Sequence, residues 1–275
     1  MEPINKEELT RIYDEEFIDL QKKLIQLLIN FGRNTLELSP VDHPKYIIRN
    51  SILYRLKSIR FHLFLAVDAY QGIIRKFDEN FFSQKTDDHH ILTAGSEQML
   101  FIFDDIVFNS ASLLDYIGNL IGLLYINKPS IKWNGICNSV SDKDNKLSKT
   151  QIAPIILKHH HEWINHLYGY RSSLIHIRKD EAESNHTKKY ERNENGEGFE
   201  IHFGFNVKAP HFFEKNIKII SQEIPMKDPS IIDVSYWLAE KTVKTTNELI
   251  SCAKAELEPI INEKLEMLYE KFKKR

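Results

Sequence analysis

Two cysteines, Cys137 and Cys252, stand alone and far apart in a chain of 275 residues. That excludes a disulfide framework and any CxxC or paired-cysteine zinc site, and suits a reducing compartment. The 10 glycines never form GxGxxG or GxxxxGK[ST], so no glycine-rich loop is present to cradle a nucleotide phosphate. Neither sign of charge dominates: 37 Lys and Arg against 39 Asp and Glu leave a formal charge of −2. Any contact with RNA or DNA must therefore come from a local patch. Long apolar runs are missing too, because the richest, Leu113 to Ile126, is interrupted by Asp115 and Asn119. The acidic start, Met1 to Glu8, has no apolar h-region. The expectation is a cytoplasmic protein with no membrane partner. HExxH and GxSxG are absent as well, and the consecutive His159, His160 and His161 would diverge by about 100° on a helix. Asp142, Asp144 and Asn145 lack the turn glycine and distal glutamate of a calcium loop. Neither a metal nor a cofactor is expected.

What the chain does have is helical periodicity. Leu9, Ile12, Phe17, Leu20, Leu24, Leu27 and Leu28 predict a helix over 7–31, and Ile48, Ile52, Leu56, Ile59, Leu63, Val67 and Ile74 one over 45–77. Arg49, Arg55, Lys57 and Arg60 give the second a basic side, read as a solvated face. Residues 78–95 read as loop. A third helix, 96–127, is apolar nearly all round and should be central to a bundle. Its exceptions, Asp105, Asn109, Ser112, Asp115 and Asn119, recur at steps of four, three, three and four and so collect into one stripe. Such a stripe either hydrogen-bonds neighbouring helices and holds register, or lines a cleft or dimer interface.

After a polar connection over 128–150, Ser148 and Gln151 have the spacing of a capping box and Pro154 fits a first turn, so a helix is predicted over 151–180. With Trp163 at zero on the helical wheel, Leu167, Tyr170, Leu174 and Ile177 form a narrow apolar stripe. Arg171 sits at its edge, while Ser172, Ile175 and His176 project opposite. An isoleucine among polar groups suggests a second contact surface, with a homodimer partner as its occupant.

Residues 181–198 read as a polar loop. Phe199 to Val207 alternates with period two, and with 216–224 it is read as a small β-hairpin. Pro229-Ser230 opens a last helix that Pro259 should kink or interrupt. The basic end, Lys271 to Arg275, suits a helix C-terminus. The organisation expected is a helical core over 1–182, an inserted loop and hairpin over 183–228, and C-terminal helices over 229–275.

Arg171-Ser172-Ser173-Leu174-Ile175-His176 resembles the Arg, four to six residues, His motif of the HEPN superfamily. Phe108 to Tyr116 looks like the helix that faces the motif helix in such proteins. Arg55 to His62 also satisfies the spacing; the placement on an amphipathic helix after the polar-striped one singles out 171–176. The resemblance implies a mainly α, up-and-down helical bundle, dimeric, acting as a metal-independent endoribonuclease in toxin or antiviral-defence settings. His176 would then be general acid and base, Arg171 would stabilise the phosphate and Ser172 would orient it. Asp115 or Asn109 would tune the histidine, with Asn119 further along the same stripe and Ile175 at the dimer contact. Two departures stand out: Ser172 follows the arginine where active members often carry Asn, and Arg178 stands where members paired with a nucleotidyltransferase antitoxin carry Tyr. The alternative is a non-catalytic HEPN-like module that binds a protein or nucleotide, and an inhibitor or partner protein fits either reading.

Overall fold

The structure is a computed structural model that describes residues 6–34, 43–83, 88–176, 184–192, 199–210, 223–224 and 229–273. It is mainly helical, with helix over each stretch that periodicity marks. They are α1 (Lys6–Asn34), α2 (Pro44–Ser83) and α3 (Asp88–Ile126), followed by α4 (Trp133–Ser141). A 3₁₀ turn (Lys146–Lys149), α5 (Ile152–His159), a π turn (His160–Ile164) and α6 (Asn165–His176) come next. Strands β1 (Ser184–Arg192) and β2 (Phe199–Val207) precede the last helix, α7 (Ile231–Lys273).

Several expectations need correction. Most of 78–95 is helix rather than loop, because α2 runs to Ser83 and α3 starts at Asp88. The connection 128–150 contains α4, whose Trp133, Ile136, Cys137 and Val140 are buried at helical spacing. The predicted capping box does not form: Gln151 makes no side-chain cap bond, and Ser148 Oγ donates to the Asn145 carbonyl at 2.7 Å. Pro259 lies inside α7 without interrupting it. It is solvent-exposed, so water can satisfy the backbone carbonyl that its missing N–H leaves free. Finally, 181–198 is not all loop: Ser184–Arg192 forms β1, which pairs antiparallel with β2, from Ser184 opposite Val207 to Arg192 opposite Phe199, while the expected partner run 216–224 lies mostly outside the described residues. Of that second run only Glu223 and Ile224 are described. The polar β1 lacks apolar alternation, and a ribbon strand held by its backbone bonds needs none.

The chain divides into two compact units, each built from separated stretches. The first comprises 1–6, 59–108 and 166–239. Its core takes Ile59, Leu63 and Phe77 from α2, Phe103 and Ile106 from α3, Leu167 and Tyr170 from α6, and Val234 and Leu238 from α7. Phe205 ties the ribbon to α2, its ring centre 6.3 Å from Tyr70 and 6.0 Å from Phe77. Ser230 caps α7 reciprocally: Asp233 N donates to Ser230 Oγ at 3.1 Å, and Ser230 N donates to Asp233 Oδ2 at 3.1 Å.

The second unit comprises 7–58, 109–165 and 240–275. Here Gly118 and Gly122 let the segment after α3 lie directly on that helix. A Cβ at Gly118 would meet Trp133 N at 2.7 Å and Lys132 C at 2.8 Å. Asn127 ends α3 in the left-handed region, φ 53°, which asparagine tolerates. Lys128 N then donates back to the Gly122 carbonyl at 2.9 Å. Glu256 of α7 joins two further elements, accepting from Tyr125 Oη at 2.9 Å and from Gln151 N, at the start of α5, at 3.0 Å. Burial first, and Glu256 second, push the Tyr125 hydroxyl well above its usual range.

The α3 helix is long and apolar enough to cross a membrane, but 72% of its most apolar window is buried within the protein. The glycine contact leads to a paired expectation. Gly118→Ala should destabilise by about 1–3 kcal/mol because backbone atoms must shift. Gly72→Ala, a helical position with nothing within 4 Å of the added Cβ, should be neutral or stabilising. Urea unfolding of both variants measures this, and equal effects would contradict the packing described.

Candidate functional site

The face of α6 that turns inward is set by its large side chains. Leu167 and Tyr170 are buried, and the Tyr170 ring meets Phe103 edge to face at 6.1 Å. With that stripe anchored, the next positions fall where the wheel predicts. Ser172 is exposed and Arg171 half-buried, while Ile175 is 56% exposed. The Arg171 guanidinium carbon lies 5.9 Å from the Phe108 ring centre, at the outer edge of a cation–π contact. Ser173 spends its hydroxyl on the Tyr170 carbonyl at 2.7 Å. Leu174 is half-buried. His176 is the last residue of α6; its side chain, together with Ile177 and Arg178, lies outside the described residues.

The residues expected to support the motif are placed differently. Asn109, Asp115 and Asn119 belong to the second unit, whereas Arg171, Ser172 and Ile175 belong to the first. Asn109 is 6% exposed, and its Oδ1 accepts from Arg55 Nη1 at 2.9 Å. Asp115 Oδ1 accepts from Trp133 N at 3.4 Å, which places a carboxylate at the N-terminus of α4. The Asn119 side-chain oxygen is buried without a hydrogen-bond partner. In the first unit, Asp105 pairs with His62 Nε2 at 3.4 Å. At Asp105, Asn109 and Asp115, then, the α3 stripe meets neighbouring elements.

The histidine run is resolved by the π turn, which sequence reasoning missed. His159 is buried and its Nε2 meets Glu248 Oε2 at 2.8 Å. Its Nδ1 accepts from Trp163 Nε1 at 3.4 Å and lies 3.4 Å from Thr245 Oγ1. Because indole nitrogen only donates, Nδ1 is the accepting nitrogen and Nε2–H faces the carboxylate. His160 Nδ1 accepts instead from Trp133 Nε1 at 3.4 Å, and His161 is exposed. Among the described residues no three His, Cys, Asp or Glu side chains converge as a metal site would need. Burial pushes the Cys137 thiol up to about 12, so it stays protonated and non-nucleophilic near neutral pH. No local sequence signal marked the π turn. The HHHEW run with tryptophan four residues after the first histidine was the only hint that these rings share a face.

Compared with family models, curated proteins and solved structures, the chain matches none. The geometry therefore has to carry the functional argument. One part of it is structural in a testable way: His159→Leu would leave the Trp163 indole N–H without its acceptor and should cost about 1–3 kcal/mol. Thermal unfolding checks this, with exposed Ser172→Ala expected to leave the midpoint unchanged. An unshifted midpoint in the histidine variant would contradict the assigned bonds.

Proposed function

We propose that the chain is a HEPN-like, metal-independent endoribonuclease with a toxin or antiviral-defence role, working in the cytoplasm as a homodimer. The observation that carries this reading is the division of α6. Tyr170 and Leu167 hold the helix inward, while Ser172 and Ile175 are exposed and Arg171 is half-buried; His176 is the last residue of the same helix. A cation and a titratable group are what cleavage without a metal requires, and Arg171 and His176 supply the two about 1.4 turns apart on one helix.

In this mechanism the His176 imidazole takes the proton from a ribose 2′-OH. The 2′-oxygen attacks the adjacent phosphorus and forms a new P–O bond as the bond to the 5′-oxygen breaks. That 5′-oxygen leaves as a hydroxyl with a proton returned by imidazolium. Arg171 offers planar N–H donors to the phosphate oxygens as charge builds on them. Ser172 supplies a hydroxyl to orient the same group. Ile175, an exposed apolar side chain beside polar neighbours, supports a contact between two copies of α6.

Incubation of purified protein with total RNA in EDTA tests the reading. Cleavage should persist without divalent metal and fall by about 10²- to 10⁴-fold in His176→Ala, with a comparable loss in Arg171→Ala. An inactive wild-type protein, or variants that cleave as well as wild type, would refute it.

A further inference from the structure

A second feature lies on α2, within the second unit, and the mechanism above makes no use of it. Ile47, Asn50, Ser51, Tyr54 and Arg55 of α2, with Tyr116 of α3, line an open groove of about 350 Å³. No acidic side chain is among them. Tyr54 is 65% exposed although it is a large aromatic residue. The Arg55 guanidinium carbon lies 5.5 Å from the centre of that ring. A ring with a cation against one face and so much of its surface open presents its other face for stacking.

Arg55 is also pre-set. Its Nη1 donates to buried Asn109, which fixes the guanidinium. Nε is shielded from water, so an anion meets Arg55 at Nη2, a charged donor. Asn50 accepts from Arg49 Nε at 3.1 Å and from Arg49 Nη2 at 3.0 Å through its one oxygen. Its amide N–H groups remain to donate.

We propose that this groove binds one nucleotide unit of single-stranded RNA, with the base stacked on Tyr54 and a phosphate on Nη2 of Arg55. The choice of RNA rests on the ribonuclease reading, but binding here is separable from cleavage. A stacking face beside a cation is indifferent to base identity, so the preference is for unpaired strands over duplex, whose bases are turned inward. With a net charge of −2 on the chain, affinity is modest and falls with salt.

The test is fluorescence anisotropy of a labelled single-stranded RNA of about twelve nucleotides in EDTA, using full-length protein carrying His176→Ala so that the probe stays intact. Tyr54→Ala should weaken binding by roughly five- to a hundred-fold and Tyr54→Phe should restore it. Arg55→Gln should lower the slope of log affinity against log salt by about 0.7, the loss of one phosphate contact on a single strand. Circular dichroism checks that the Arg55 variant folds, and exposed Tyr54 keeps the test independent of that outcome. Binding unchanged in Tyr54→Ala, no binding by the parent protein, or tighter binding of duplex RNA or of a phosphotyrosine peptide would overturn the proposal. Tyrosine-dependent binding by a protein that never cleaves RNA would leave the groove standing and remove the nuclease. Cleavage with no effect of Tyr54 on binding would do the reverse.

Discussion

Burying a polar atom without a partner costs free energy, and on α3 a partner offsets that cost at Asn109, though not at the Asn119 oxygen. This helix of 39 residues is apolar over most of its surface, so each polar side chain on it restricts what can lie alongside. Asn109 meets Arg55 of α2 in the second unit, and Asp115 takes the first backbone N–H of α4. In the first unit, Asp105 takes His62. These contacts fix which residues of α2 turn toward α3. They also commit Nη1 of Arg55 and leave Nη2 to donate elsewhere, which connects a structural bond to a candidate ligand site.

The helical architecture was legible because amphipathic periodicity is written in every turn. Its boundaries were less so. The Asn80 Nδ2 to Asp88 Oδ1 bond, at 3.0 Å, joins the ends of two helices across residues that read as loop. The fourth helix begins with a carboxylate lent by α3 rather than with its own cap, and α5 begins under Glu256 of α7. A cap supplied from elsewhere in the chain cannot be seen in a local window. Strand β1 was read as loop for a related reason: Ser184–Arg192 shows no apolar alternation, although Asn195-Gly196 beyond it is a dipeptide that favours tight hairpins.

The candidate site shows the same split between local and long-range information. From Trp163 onward a helical wheel orders α6 correctly, since Leu167 and Tyr170 are buried and Ser172 and Ile175 are not. The π turn over His160–Ile164 adds a residue, so the wheel cannot be carried back through it unchanged; His159, four residues before Trp163, meets Trp163, Thr245 and Glu248. The expected help of Asn109 and Asp115 to the histidine could not be judged from spacing. Partners on other helices decide what such groups do, and here Arg55 and Trp133 use their oxygens.

The central claim is that α6 carries out chemistry on RNA through the ribose 2′-oxygen. It is tested most directly by the ends of the fragments formed when the protein cuts a defined single-stranded RNA in EDTA. Attack by the 2′-oxygen predicts a 2′,3′-cyclic phosphate on one fragment and a 5′-hydroxyl on the other, with no cut at a linkage whose ribose is 2′-deoxy. Fragments bearing 3′-hydroxyl and 5′-phosphate ends, or cleavage at the deoxy position, would contradict the account.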